Sequence, residues 1–209
     1  MSFELWSAFA VSCIAVLIIP GPTVIMIISY ALGQGKQTAP ASVSGSAVGD
    51  FVAMTVSLMG AGALLATSAT LFTILKLLGA AYLVWLGIKM WRSQSFALSN
   101  IQGITQKTSN YRVFRSTFVV TALNPKSIMF FTAFVPQFID PHGDLFTQFA
   151  ILEATFVGLA ILNSLIWAHM AAGMRGKMGG GKSLRYVGKV GGSFLIGAGL
   201  LTATVQQRL

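Results

Sequence analysis

Three charged side chains, Asp50, Lys126 and Glu153, stand inside runs that are otherwise apolar. A charge at the centre of a bilayer costs at least about 2.5–3.5 kcal/mol on insertion scales, so such residues face a bundle interior or a wet cavity and find partners there. Asp50 follows VSGSAVG, in which Gly45 and Gly49 form a small-xxx-small pair that lets a neighbouring helix come close. Lys126 directly follows Asn124-Pro125. A carboxylate and an ammonium in this setting have two readings. As a fixed ion pair they lock two parts of the chain together. As walls of a polar cavity at mid-depth they exchange partners with a solute, and a carboxylate held between desolvation and a nearby cation can carry a proton. The second reading is the one adopted. Glu153 lies nearer a membrane edge and is divided between an interfacial role and a cavity role.

Two proline breaks accompany the charges. Pro20-Gly21-Pro22 interrupts IIPGPTVIM, and Asn124-Pro125 interrupts ALNPKSIM. Proline has no N–H to donate and clashes with the preceding turn. In lipid, a carbonyl freed in this way must find another partner within the protein. Interrupted helices at matching places in two halves of a chain point to a transporter's binding site. A simple kink at Pro20–Pro22 is the competing reading. Set opposite Asn124 and Pro125, the two breaks instead offer backbone donors and acceptors to a polar solute, and the Asn124 amide adds one of each kind.

These residues need a membrane scaffold to hold them. The chain has 209 residues, 55% hydrophobic and 9% charged, with mean hydropathy +0.75. A soluble domain carries about 25% charged residues, so this chain cannot cover a water-facing surface. The net charge of +9 does not point to nucleic acid, because the basic residues gather in loops between apolar runs. A span takes about 20 apolar residues, and six stretches qualify, at roughly 5–32, 40–66, 70–91, 113–139, 146–172 and 186–206. The fold class is therefore an all-α integral membrane protein of six transmembrane helices. Residues 1–91 form a first three-helix repeat, 92–112 a polar cytoplasmic linker and 113–209 a second repeat.

Lys89, Arg92, Lys107, Arg112 and Arg115 cluster around the linker, and Arg175, Lys177, Lys182, Arg185 and Lys189 cluster between the fifth and sixth spans. Lys36 follows the first span, while the loop after the fourth carries Asp140 and Asp144. This distribution puts both termini outside. Lys76 then lies near the outer end of the third span and snorkels to the headgroups. Residues 1–20 lack a basic leader and include Glu4, so the first run is expected to remain in the mature protein. Pro22 and Asp50 are 28 residues apart, as are Pro125 and Glu153, and Gly79/Gly87 are echoed at the same spacing by Gly191/Gly199. Three spans per half make the second copy inverted relative to the first.

Other signals are weighed and set aside. Gly176–Ser183 fits the phosphate-loop pattern GxxxxGK[ST], but a membrane helix precedes it and no acidic residue follows Glu153. It reads as a basic loop against anionic headgroups. DPHGD, at Asp140–Asp144, is a turn with polar caps rather than a metal site. His169 reads as interfacial, with a proton relay as the alternative. The four tryptophans suit an aromatic belt. A lone Cys13 rules out an internal disulfide and argues against a paired-cysteine redox carrier. No nucleophile–His–carboxylate set and no metal-ligand spacing is present, so neither an enzyme nor a cofactor is expected, and a divalent-cation carrier is disfavoured.

PGPTVIMI, GSAVGD, KLLGAAYLVWLGIKMWRS and LNPKSIMFFTAFVPQFID, in this order, resemble the lysine-exporter superfamily, most closely its homoserine/threonine-resistance branch. The resemblance covers almost the whole chain. It implies export of amino acids or similar small metabolites across the bacterial inner membrane, coupled to the proton gradient. By match to the motifs it marks Pro20, Gly21, Pro22, Gly49, Asn124, Pro125 and Lys126 as substrate-binding positions, and Asp50 as functional. Asp50 and, from its place in the second half, Glu153 are taken as proton-coupling. The expected partners are an amino-acid-like solute, protons and lipid. Gly45 and Gly49 suit packing either within one chain or between two copies, which leaves a homo-oligomer open. A membrane partner subunit with no flux of its own is the rival reading, and buried charges are an expensive way to build a scaffold.

Overall fold

The computed structural model describes residues 1–67, 108–140 and 143–174, with isolated helical positions between 70 and 88 and between 193 and 200. Every regular element among the described residues is helical. The third and sixth expected spans fall largely outside the described residues. So do residues 92–107, Lys76, the paired glycines Gly79/Gly87 and Gly191/Gly199, His142 and the Gly176–Ser183 loop.

Three described helices are long and apolar enough to cross a membrane: Lys36–Gly60, Asn110–Phe138 and Leu145–Gly173. A bent pair, Phe3–Ile18 with Pro22–Gln34, makes a fourth when counted as one span, with 52° between its arms. These correspond to the first, second, fourth and fifth expected spans.

Local chemistry sets where each element starts and stops. Helix α1 (Phe3–Ile18) begins at Ser2, whose hydroxyl accepts the Leu5 N–H at 3.3 Å, and Glu4 in its first turn suits the positive end of the helix. It ends because Ile19 precedes a proline, which drives it out of the helical region to φ −72°, ψ 115°. Helix α2 (Pro22–Gln34) restarts with Pro22 at its first position, where the missing N–H costs nothing. It closes at Gly35, φ 86°. Helix α3 spans Ala39–Thr67 after a short 3₁₀ turn, Lys36–Thr38.

Helix α4 (Asn110–Ala122) starts earlier than the expected 113, because Ser109 caps it by accepting the Arg112 N–H. The last residues assigned to the linker therefore belong to the helix. Helix α5 (Pro125–Met129) follows the second break and continues as a π turn at Phe130–Phe134 and a 3₁₀ turn at Val135–Phe138. The change of winding falls just before Pro136, which lacks the N–H that an α-helix needs there. The Gln137 side-chain amide meets one of the loosened carbonyls, Ala133, at 2.9 Å. Helix α6 (Leu145–Gly173) runs back from Asp144.

The seam between α3 and α4 is built on glycine. A Cβ on Gly45 would lie 2.5 Å from the Phe114 carbonyl oxygen, and one on Gly49 would lie 2.8 Å from Thr121 Cβ and 2.9 Å from the Phe118 oxygen. Of the two packings open in the sequence, these glycines serve contact within one chain. An aromatic-rich core forms at one end of the bundle, where Phe9, Phe130, Phe131 and Phe156 are fully buried around Cys13, Met54 and Leu152. A smaller cluster of Val24, Ile28, Ala31 and Ala171 forms at the other end.

The turn between α5 and α6 is tied by side chains. Gln148 accepts the Asp140 N–H at 2.8 Å and donates to the Asp140 carbonyl at 2.9 Å. Asp144 accepts the Thr147 N–H at 2.8 Å, and hydrogen bonding from the Thr147 hydroxyl, with this N–H bond second, holds its carboxyl below the ordinary carboxylate range. A carboxyl lowered on folding stabilises fully above its unfolded titration and loses this contribution as pH falls through the folded value. Asp144→Ala is therefore expected to lower the melting temperature at neutral pH. The difference from wild type should vanish below the carboxylate range in a pH series of melting curves.

Candidate functional site

Lys126 occupies the first turn of α5, directly after the second break, and its side chain reaches across to the first. Its ammonium donates to the Ile19 carbonyl at 2.9 Å and to the Val16 carbonyl at 3.2 Å. Both belong to the carbonyl end of α1, where the last four C=O groups have no partner within the helix and the helix dipole is negative. The Asn163 side chain, on α6, donates to the Leu17 carbonyl at 3.0 Å. The freed backbone of the first break is thus satisfied by a cation and an amide from two other elements. This is how irregular backbone survives at membrane depth. Gly21 makes the approach feasible: a Cβ there would stand 3.2 Å from both Cε and Nζ of Lys126.

Asn124 holds the second break. Its Oδ1 accepts the Lys126 N–H at 3.1 Å, which caps α5. Its amide nitrogen donates to Ser127 Oγ at 3.2 Å and to Thr23 Oγ1 at 3.4 Å. Thr121, on α4, also donates to Thr23 at 3.0 Å. Thr23 sits in the first turn of α2, so these bonds join the two breaks directly.

Between the breaks lies a crevice of about 390 Å³, open mouth included, with a mixed polar and apolar wall. Gly21 and Thr23 from the first break line it, as do Asn124 and Lys126 from the second and Asp50 from α3. Asp50 and Lys126 are 6% and 5% exposed, buried yet facing this space. They make no direct ion pair, and the Asp50 carboxylate has no hydrogen-bond partner among the described residues. The fixed-pair reading of these two side chains therefore does not describe this conformation. The Asp50 carboxyl lines the solute space, while Lys126 is held by carbonyls.

The remaining expected site residues fall elsewhere. Pro20 is buried just before Gly21, and Pro22 and Pro125 open α2 and α5, but none of the three lines the crevice. Gly49 lies in the α3–α4 seam, one residue from Asp50. Glu153 is half-buried away from the crevice and accepts a hydrogen bond from Thr55 at 2.6 Å. His169 is exposed, with Nδ1 2.9 Å from the Leu165 carbonyl in its own helix. Among the described residues no group of three His, Cys, Asp or Glu side chains gathers as metal ligands.

Sequence reasoning passed over several wall residues: Thr23, Ser127, Asn163 and Ser164. For the last two a signal exists. Asn163-Ser164 are the polar pair in an otherwise apolar run from Phe156 to Trp167. Ser164 also lies 3.4 Å from Ser46 of α3.

The family model for the LysE type translocator matches residues 14–206. Among similar chains, an uncharacterized membrane protein of Vibrio cholerae is 31% identical over 206 residues, 99% of this chain and all of that one. The homoserine/homoserine lactone efflux protein of Salmonella typhimurium is 31% identical over 206 residues, covering 99% of each. The leucine efflux protein of an Enterobacter species is 32% identical over 149 residues, covering 70% of each. No solved structure matches the chain.

Proposed function

The chain belongs to the LysE-type translocator family, and from that footing we propose how its crevice works. The protein is a multi-pass membrane transporter that exports amino acids, and it is not an enzyme. We assign the crevice between the two breaks as its substrate site. The observation that carries this reading is the meeting of both interrupted helices with one acidic and one basic side chain on a single cavity.

A zwitterionic amino acid matches such a wall. Its ammonium faces Asp50. Its carboxylate faces Lys126 and the N-terminal turn of α2, whose backbone N–H groups and dipole favour an anion. Lys126 then exchanges helix carbonyls for a carboxylate. When the substrate leaves, a proton replaces its ammonium on Asp50, so substrate and proton compete for one group. That competition is the basis of a proton antiport. Glu153, held by Thr55 outside the crevice, is assigned no contact with substrate in this scheme.

The wider architecture belongs to the same proposal. Six spans, arranged as repeats 1–91 and 113–209 in opposite senses, rock around the shared site. The second and fourth spans start at the end that holds Lys36, Arg112 and Arg115 and run parallel along their glycine seam, while Asp140 and Asp144 lie at the other end, where the fourth span stops and the fifth begins. The basic end is assigned to the cytoplasm and both termini to the outside of a bacterial inner membrane.

Proteoliposomes test the scheme. Loaded with labelled homoserine or leucine and given an inward proton gradient, they are expected to lose label faster than without the gradient. A protonophore should remove the difference. Flux indifferent to the gradient would reject antiport while leaving export intact.

A further inference from the structure

Helix α6 contributes a continuous strip to the crevice. Phe156, Ala160, Asn163 and Ser164 recur at helical spacing and all line it, so they share one face. The strip changes character along its length, apolar at Phe156 and Ala160 and polar at Asn163 and Ser164. Asn163 is anchored at one end only. A carbonyl can only accept, so the bond to Leu17 O fixes which end of the amide is nitrogen. Oδ1 is therefore the other end, and it has no hydrogen-bond partner among the described residues. Asn163 is half-buried on the crevice wall. An amide held by backbone through its nitrogen, on the wall of a solute space and with its acceptor unused, is equipped to read a donor on a ligand.

The proposed function assigns the substrate's two charged groups to Asp50 and Lys126, and the present inference rests on that reading. The substrate's own side chain is left for the α6 strip. We propose that Asn163 is a specificity-determining residue, whose Oδ1 accepts a hydrogen bond from a hydroxyl on the substrate side chain. Asn163 thereby favours hydroxylated amino acids over aliphatic ones of similar size. Phe156 and Ala160 contribute apolar contact to both kinds. The physical asymmetry is large: an apolar wall rejects an extra hydroxyl weakly, whereas a wall that hydrogen-bonds the hydroxyl discriminates strongly against its absence.

The test uses purified full-length protein in proteoliposomes and measures concentration dependence of counterflow for labelled homoserine and leucine. In Asn163→Leu the homoserine-to-leucine ratio of efficiencies is expected to fall about tenfold, the loss of one buried hydrogen bond together with its acceptor. Asn163→Gln keeps the amide and is expected to retain part of the preference. Asn163→Ser shortens the reach and is read on the same ratio, with an expected fall of about threefold for a weakened bond, so the result stands even where the leucine variant does not insert. An equal fall for both substrates, or an unchanged ratio in the variants that insert, makes Asn163 a tie for α1 only and overturns the inference. Wild-type protein that moves neither substrate would instead sink the export reading beneath it.

Discussion

Lys126→Ala is expected to abolish amino-acid export and to lower thermal stability at the same time. The substitution removes a donor shared by the Val16 and Ile19 carbonyls, and it leaves Asp50 as the one charge on the crevice wall. Losing a charged donor to a buried carbonyl costs about 1.5–3 kcal/mol per hydrogen bond, a large part of a typical folding free energy. Loss of transport through instability must be separated from loss of chemistry. Asp50→Asn combined with Lys126→Met does this, because it deletes both charges and keeps the lysine stem's bulk over Gly21. The double variant is expected to melt closer to wild type than Lys126→Ala, yet still fail to concentrate label. Asp50→Asn alone is expected to bind weakly and to show no response to an imposed pH gradient. Normal, gradient-dependent flux in either single variant would take that residue out of the mechanism.

Gly45→Leu is expected to prevent accumulation of folded protein. The obstacle is backbone: the Phe114 carbonyl oxygen stands 2.5 Å from where a Cβ would begin, so no rotamer change relieves the clash. Overpacking against movable side chains already costs about 1–3 kcal/mol, and α3 would have to part from α4 to make room here. Gly45→Ala is expected to show the same defect in milder form, as a lowered melting temperature in detergent. Gly60→Ala provides the control, since a Cβ there meets nothing within 4 Å. It should raise helix propensity and leave the melting curve unchanged or slightly higher. Equal behaviour of the Gly45 and Gly60 variants would show that the seam tolerates separation.

The parts legible in the sequence are those whose chemistry is local. A proline announces its missing donor wherever it stands, so both breaks could be placed from Pro20–Pro22 and Asn124-Pro125, and Asn124 could be marked as a polar group beside one of them. Asp50 and Lys126 were visible because lipid makes each costly. Their relation was not. Two opposite charges suggest a pair, and nothing in the residues around Lys126 foretells that the carbonyl end of another helix holds it. Thr23 was silent for a related reason, and Asn163, visible as a polar residue, gave no hint of its partner. A threonine or asparagine in an apolar run often bonds its own turn, and its reach toward a second helix depends on which helices meet. Glu153 shows the limit of spacing. Its separation from Pro125 copies that of Asp50 from Pro22, but equal separation fixes depth along a helix and says nothing about the face. In the fold Glu153 meets Thr55 instead of the crevice. The start of α4 at Asn110 shows the usual weakness of boundaries, since Ser109 is one polar residue among many in that stretch.

The segment from Pro125 to Phe138 passes through three windings between two fixed ends, Asn124 and Ile139. An α-helix climbs about 1.5 Å per residue and a 3₁₀ turn about 2.0 Å. Lengthening one stretch while shortening another by the same amount therefore turns the phenylalanines between them with no displacement at either anchor. Phe130 and Phe131 seal the aromatic end of the bundle from inside that same stretch. A plug mounted on a spring can be withdrawn without dismantling the wall around it.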